Sequence, residues 1–167
     1  MRRNQAITSQ SEALWENQTS LRQITNVLNI PQKLPTIYFR PTRDRIVVLP
    51  LTVVPKIGSI FMPSVETSRH AQGLVLASGP GRHHYLDRAT NTYKYALNPL
   101  PNDAQPGDLV LFESRNSEPF NLVEPYGVGA AKIHITLDDC LFVKFGQINL
   151  ETREVLWLNT DAEISWE

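Results

Sequence analysis

The residues of this chain that are equipped for chemistry are few, and they do not converge. His83 and His84 are adjacent, Asp138 and Asp139 are adjacent, Cys140 is the single thiol, and His70 and His134 are isolated. Two neighbouring imidazoles begin a metal site, but a structural or catalytic ion needs a second ligand cluster at a fixed spacing, and none follows. They read as solvent-facing loop histidines. The Asp138-Asp139 carboxylates offer general acid/base work, yet adjacent side chains rarely meet on one substrate, so a turn is expected there. Cys140 reads as a small buried apolar residue rather than a nucleophile. The sequence holds no Gly-x-x-x-x-Gly-Lys-Ser/Thr loop, no Gly-x-Ser-x-Gly elbow and no His-Glu-x-x-His pair. Nothing assembles a nucleophile, a base and an oxyanion site. The expectation is a chain that is not an enzyme and that holds no metal and no cofactor.

What remains is the chemistry of an adhesive contact. Ile60-Phe61-Met62 lies between Gly58 and Pro63 and is followed by polar Ser64, Glu66, Thr67 and Ser68. Residues 52–70 are too poor in apolar side chains to order by themselves, yet they carry an apolar anchor. This predicts a mobile loop that folds on a partner's groove and binds reversibly, because the ordering entropy is deducted from the contact energy. Burying three large apolar side chains contributes about 5–8 kcal/mol gross. Ordering a dozen or more residues opposes it at about 1–2 kcal/mol each. One such loop is weak; several on a ring, facing a matching ring, gain by multivalency. The competing reading is that the triplet is one more core strand, since short apolar runs are ambiguous.

The elements that must present this tip fall into three parts. Residues 1–36 form a polar arm in which Ser9 and Glu12 match a capping box, and Leu14, Leu21, Ile24 and Leu28 recur on one helical face. Pro31 and Pro35 end the expected helix. Residues 37–146 have β texture. Ile46–Leu49, Leu74–Ala77, Leu109–Phe112, Ile133–Leu137 and Leu141–Val143 are short apolar runs, several of them bounded by Gly, Pro or Asp turn signals such as Gly79-Pro80-Gly81 and Pro106-Gly107-Asp108. Short strands without helices between them indicate an all-β, antiparallel barrel or sandwich. Residues 81–106 and 113–132 are long, proline-rich connections, of the length that usually serves function or an interface. Residues 147–167 predict a C-terminal hairpin extension pairing Gln147–Leu150 with Val155–Leu158.

Composition narrows the partners. A formal charge of −1 provides no footprint for nucleic acid or an anionic membrane surface. One cysteine excludes an internal disulfide. No apolar run reaches membrane-spanning length, and the Met-Arg-Arg start leads into polar residues rather than a signal-peptide core. A cytoplasmic protein is expected.

Four segments, in order, resemble the GroES-type co-chaperonin family. Arg40-Pro41-Thr42-Arg43-Asp44-Arg45 followed by Ile46-Val47-Val48 is similar to the family's Arg-Pro-x-x-Asp-Arg and apolar strand. Gly58-Ser59-Ile60-Phe61-Met62-Pro63 is similar to the Gly-Ile-Val-Leu-Pro of its mobile loop. Gly73-Leu74-Val75-Leu76-Ala77-Ser78-Gly79-Pro80-Gly81 is similar to its Gly-x-Val-x-Ala-x-Gly-x-Gly strand and turn. Pro106-Gly107-Asp108-Leu109-Val110-Leu111-Phe112 is similar to x-Gly-Asp-x-Val-x-Phe, and Asp139-Cys140-Leu141-Phe142 to a closing Asp-Ile-Leu-Ala. The match covers roughly residues 38–145. It departs in Phe61, which is bulkier than the usual aliphatic, in the extra Ser59, and in longer stretches after Gly81 and over 113–125.

The resemblance implies a small irregular β-barrel and a homo-oligomeric ring of seven subunits. It implies a lid on an ATP-loaded GroEL-type chaperonin, docked through Gly58, Ile60, Phe61, Met62 and Pro63, that encloses an unfolded client protein. ATP would be bound by the partner, not by this chain. The longer stretches imply an enlarged dome of the sort that virus-encoded members carry, placing the protein in host cytoplasm. The extensions at both ends leave a second expectation: a structural decoration or connector protein of a virus particle, built on the same barrel.

Overall fold

A computed structural model describes residues 24–57, 60–61, 70–129, 131–158 and 162–166. The chain enters as β1 (Ile24–Ile30), β2 (Thr36–Ile37), β3 (Arg45–Pro50), β4 (Thr52–Ile57) and β5 (Ile60–Phe61). It continues as β6 (His70–Ser78), β7 (Arg82–Asp87), β8 (Thr92–Leu100), β9 (Asp108–Glu113) and β10 (Glu118–Asn121). The last strands are β11 (Gly127–Val128), β12 (Lys132–Leu137), β13 (Leu141–Ile148), β14 (Val155–Leu158) and β15 (Ala162–Trp166). Two 3-10 turns, Ser114–Asn116 and Asp138–Cys140, are the only helical pieces among the described residues, and neither is long enough to cross a membrane. The protein is all-β.

The body is a seven-stranded sheet in the order β10-β12-β3-β6-β9-β13-β14, antiparallel at every step. Its central strands are buried on both faces. Along β3, Val47 and Leu49 join one apolar cluster while Ile46 and Val48 join another. β6 divides Leu74 from Val75, and β9 divides Leu109 from Val110 and Phe112, in the same way. Because both faces are filled, these strands read in sequence as unbroken apolar runs rather than alternating ones. A four-stranded sheet, β15-β1-β4-β5, contributes Leu28 and Ile30 to the first cluster. Two small two-stranded sheets, β11-β2 and β7-β8, complete the structure. Among the described residues β10 and β14 are the two ends of the large sheet, which does not close on itself there.

Two further expectations change. Ile24 and Leu28, expected on one face of a helix, lie in β1; Leu14 and Leu21 lie outside the described residues. Four of the seven residues in Ile-Thr-Asn-Val-Leu-Asn-Ile are β-branched, which favours a strand when a ladder partner is present, and β4 supplies one. A three-four apolar spacing this short is overridden by pairing. The C-terminal turn lies where the sequence puts it: Gln147 pairs with Trp157 and Ile148 with Val155, with a bulge between them.

The Asp138-Asp139 pair is structural. The buried Asp138 carboxylate accepts hydrogen bonds from the backbone N–H groups of Asp103 and Ala104, both at 3.1 Å. Asp139 points elsewhere and receives the Arg82 guanidinium at 2.7 Å. Asp138→Asn retains the shape but turns a donor toward a backbone donor. It is expected to lower stability by about 2 kcal/mol, read as a shifted urea midpoint with an unchanged slope.

Candidate functional site

Of the expected docking residues, Ile60 and Phe61 lie at the end of the four-stranded sheet. Ile60 and Phe61 form β5, with Ile60 opposite Ile57 and Phe61 opposite Lys56. Gly58, Met62 and Pro63 lie outside the described residues. The stretch expected as a mobile loop, residues 52–70, begins in a paired strand. Residues 52–57 are strand β4, paired with β1 from Asn29↔Thr52 to Ile24↔Ile57. The physical reason is that β1, which sequence reasoning assigned to a helix, offers its backbone groups as a ladder, and unpaired backbone groups next to a core are costly. Val53 packs against the main apolar cluster.

The stretch 81–106, expected as an irregular connection, is mostly a β-hairpin. Asp87 pairs with Thr92, Leu86 with Tyr93 and His84 with Tyr95. Its tip is set by the Asp87 carboxylate, which accepts the Ala89 N–H at 3.0 Å, and by Asn91 at φ 51°, a left-handed position that asparagine tolerates. Its base is set by Gly81, at φ 113°, where an added Cβ would lie 1.8 Å from the Leu100 carbonyl oxygen. Buried Asn102 also braces the base, donating to the Gly79 carbonyl at 3.1 Å. The signal available in the sequence was an Asp-to-Asn turn flanked by Tyr85 on one side and by Tyr93 and Tyr95 on the other.

His83 and His84 therefore stand on a strand, not in a loop. A bulge turns both rings onto Tyr95: His83 is stacked at 5.2 Å and His84 is edge-on at 5.2 Å. His83 Nδ1 donates to the Ala96 carbonyl at 2.9 Å. Leu86, Tyr93, Tyr95 and Leu97 stay largely in solvent, Tyr93 at 79% and Leu97 at 86% exposed. Lys94 and Asp87 form an ion pair, and that lysine holds the Asp87 carboxyl below its ordinary range. The hairpin thus offers an apolar, aromatic surface beside the paired Lys94 and Asp87.

No group of three or more His, Cys, Asp or Glu side chains suited to a metal occurs among the described residues. A shallow cavity of about 250 Å³ lies between Asp103, Asp138, Phe142 and Lys144. Its polar groups are engaged: Asp138 holds two amides, and Lys144 pairs with Asp108 at 3.2 Å. Cys140 is half-buried in the 3-10 turn. His134 lies 2.7 Å from the Ser117 hydroxyl, and burial, followed by the charge of Lys132, pulls its pKa below the usual histidine range. None of these places a reactive group beside an open pocket. Searches against family models and curated proteins find no match to this chain.

Proposed function

We propose that this chain is a co-chaperonin subunit: one member of a ring that caps an ATP-loaded GroEL-type chaperonin through the tip containing Ile60 and Phe61. One observation carries the reading. The segments that resemble the family lie on β3, β6, β9 and the start of β13, which are successive neighbours in the large sheet. The fifth resembling segment, containing Ile60 and Phe61, hangs from the β3-to-β6 connection and joins a different sheet. A contiguous scaffold with an apolar segment carried on one connection and on a separate sheet suits a docking lid. The barrel character implied by the resemblance belongs to this proposal.

The ring has candidate contacts. The large sheet ends in β14, Val-Leu-Trp-Leu, an edge without proline, whereas the opposite edge β10 carries Pro119 and is a poorer template for pairing. The hairpin face bearing Leu86, Tyr93, Tyr95 and Leu97 is the second. Its exposed area is of the order of the largest apolar patches on ordinary monomers, roughly 300–600 Å². We assign it to the equivalent hairpins of neighbouring subunits. Joint replacement Tyr93→Ser and Leu97→Ser is expected to weaken self-association at least ~10-fold, the equivalent of a 1.4 kcal/mol loss. Sedimentation velocity across a concentration series measures it.

Capture on an immobilised GroEL-type chaperonin, with and without ATP, tests the function. Nucleotide-dependent retention supports the lid. A chain that ignores the chaperonin and remains with purified virus particles is instead a decoration or connector protein.

A further inference from the structure

We infer that the first and last described strands, β1 and β15, form a strap that holds the base of the docking loop, so that the Ile60-Phe61 tip is carried on a pre-ordered stem. The purpose of the strap depends on the co-chaperonin reading; its geometry does not.

The geometry is a continuous ladder. β4 meets β1 at six successive pairs without a bulge, and β1 meets β15 in parallel at five, from Asn26↔Ala162 to Ile30↔Trp166. β1 is therefore an interior strand between the loop's stem and the C-terminal strand. It is also anchored sideways, since Leu28 and Ile30 are fully buried in the main cluster and Ile164 and Trp166 of β15 pack against that cluster. The strap cannot slide along β4 without dragging core side chains out of place.

Arg153 braces this arrangement from outside. It sits in the turn between β13 and β14, at φ 61°, with its guanidinium 5.4 Å from the centre of the Trp166 ring. The same guanidinium donates to the Gln32 carbonyl, just beyond the end of β1. One exposed side chain thus joins the β13–β14 turn, the last described strand and the exit of the first. Arg153 is a positioning residue for a loop it does not touch.

The consequence concerns affinity. A loop slack from residue 52 would have to order its stem on docking. Each residue already held as strand removes one backbone-ordering penalty from that step. If the strap opens, only the fraction of molecules with the stem formed is competent, and the apparent affinity falls by that fraction.

Hydrogen exchange on the full-length chain tests this, read at the alternate amides of β4 whose N–H groups face β1. In the intact protein these are expected to exchange at least ~100-fold slower than in a free peptide. Ser165→Pro, opposite Asn29 in β15, and Arg153→Ala are each expected to speed them ~10-fold or more while β3 and β6 amides remain protected. Capture by the chaperonin should weaken in step. Peptide-like exchange at residues 53–57 in the intact chain overturns the strap, as does an unchanged rate in Arg153→Ala. Should Ser165→Pro unfold the whole chain, Arg153→Ala decides, because it leaves every ladder residue in place. The two ideas separate cleanly: slow exchange with no capture by the intact chain retires the lid and leaves the strap. Capture with fast exchange at residues 53–57 does the reverse.

Discussion

Ile60→Asp and Phe61→Ala are expected to reduce ATP-dependent capture by a GroEL-type chaperonin at least ~100-fold while leaving the chain folded. Truncating one large apolar anchor removes about 2 kcal/mol from each docked loop. A ring docks through several loops, and every engagement after the first is intramolecular, so the losses compound around the ring. Placing a carboxylate at residue 60 is more severe, because desolvating an unpaired charge in an apolar groove opposes docking directly. The fold should survive, since β5 is two residues long and lies at the end of its sheet order. Isothermal binding to the nucleotide-loaded chaperonin gives the affinity, and thermal melting gives the fold. Equal affinity for wild type and both variants would retire the lid.

The second large effect is on stability, at Gly73. A Cβ built there lies 2.2 Å from Val48 Cγ1 and 3.0 Å from Phe112 Cε1, in the middle of the sheet. Both neighbours are fully buried, and both faces of these strands are filled, so no direction is open for relaxation. Gly73→Ala is expected to destabilise by about 3 kcal/mol, in the range for forced overpacking. For a chain of this size that lowers the melting temperature by roughly 6–12 °C. Adding Val48→Ala removes the atom in closest conflict. The double variant should recover part of the loss despite deleting core volume, a coupling of opposite sign to the single effects. A melting temperature for Gly73→Ala within a degree of wild type would show that the strands yield more readily than this packing implies.

Legibility followed burial. The runs 46–49, 74–77, 109–112 and 141–143 were readable because each carries its apolar content in consecutive residues, and 133–137 because its apolar residues alternate. They are β3, β6, β9, β12 and the start of β13. The docking tip was readable as a composition, Ile60-Phe61-Met62 between Gly58 and Pro63. Its stem was not, because Thr52–Ile57 becomes a strand only when β1 lies beside it, and those partners are separated by more than twenty residues in sequence. The hairpin of β7 and β8 escaped for a different reason. Its apolar residues face solvent, so they form no core pattern.

The amino-acid sequence by itself determined the β texture of the chain, and it marked one apolar tip. Those properties are local: they depend on residue type, immediate spacing and turn chemistry. Tertiary structure decided which strands became neighbours. Among the described residues it left the large sheet unclosed, and it placed Ile24–Ile30, expected in a helix, in a strand between β4 and β15. A β-strand's hydrogen bonds are all made to another segment, so no strand's own sequence states which partner it will have.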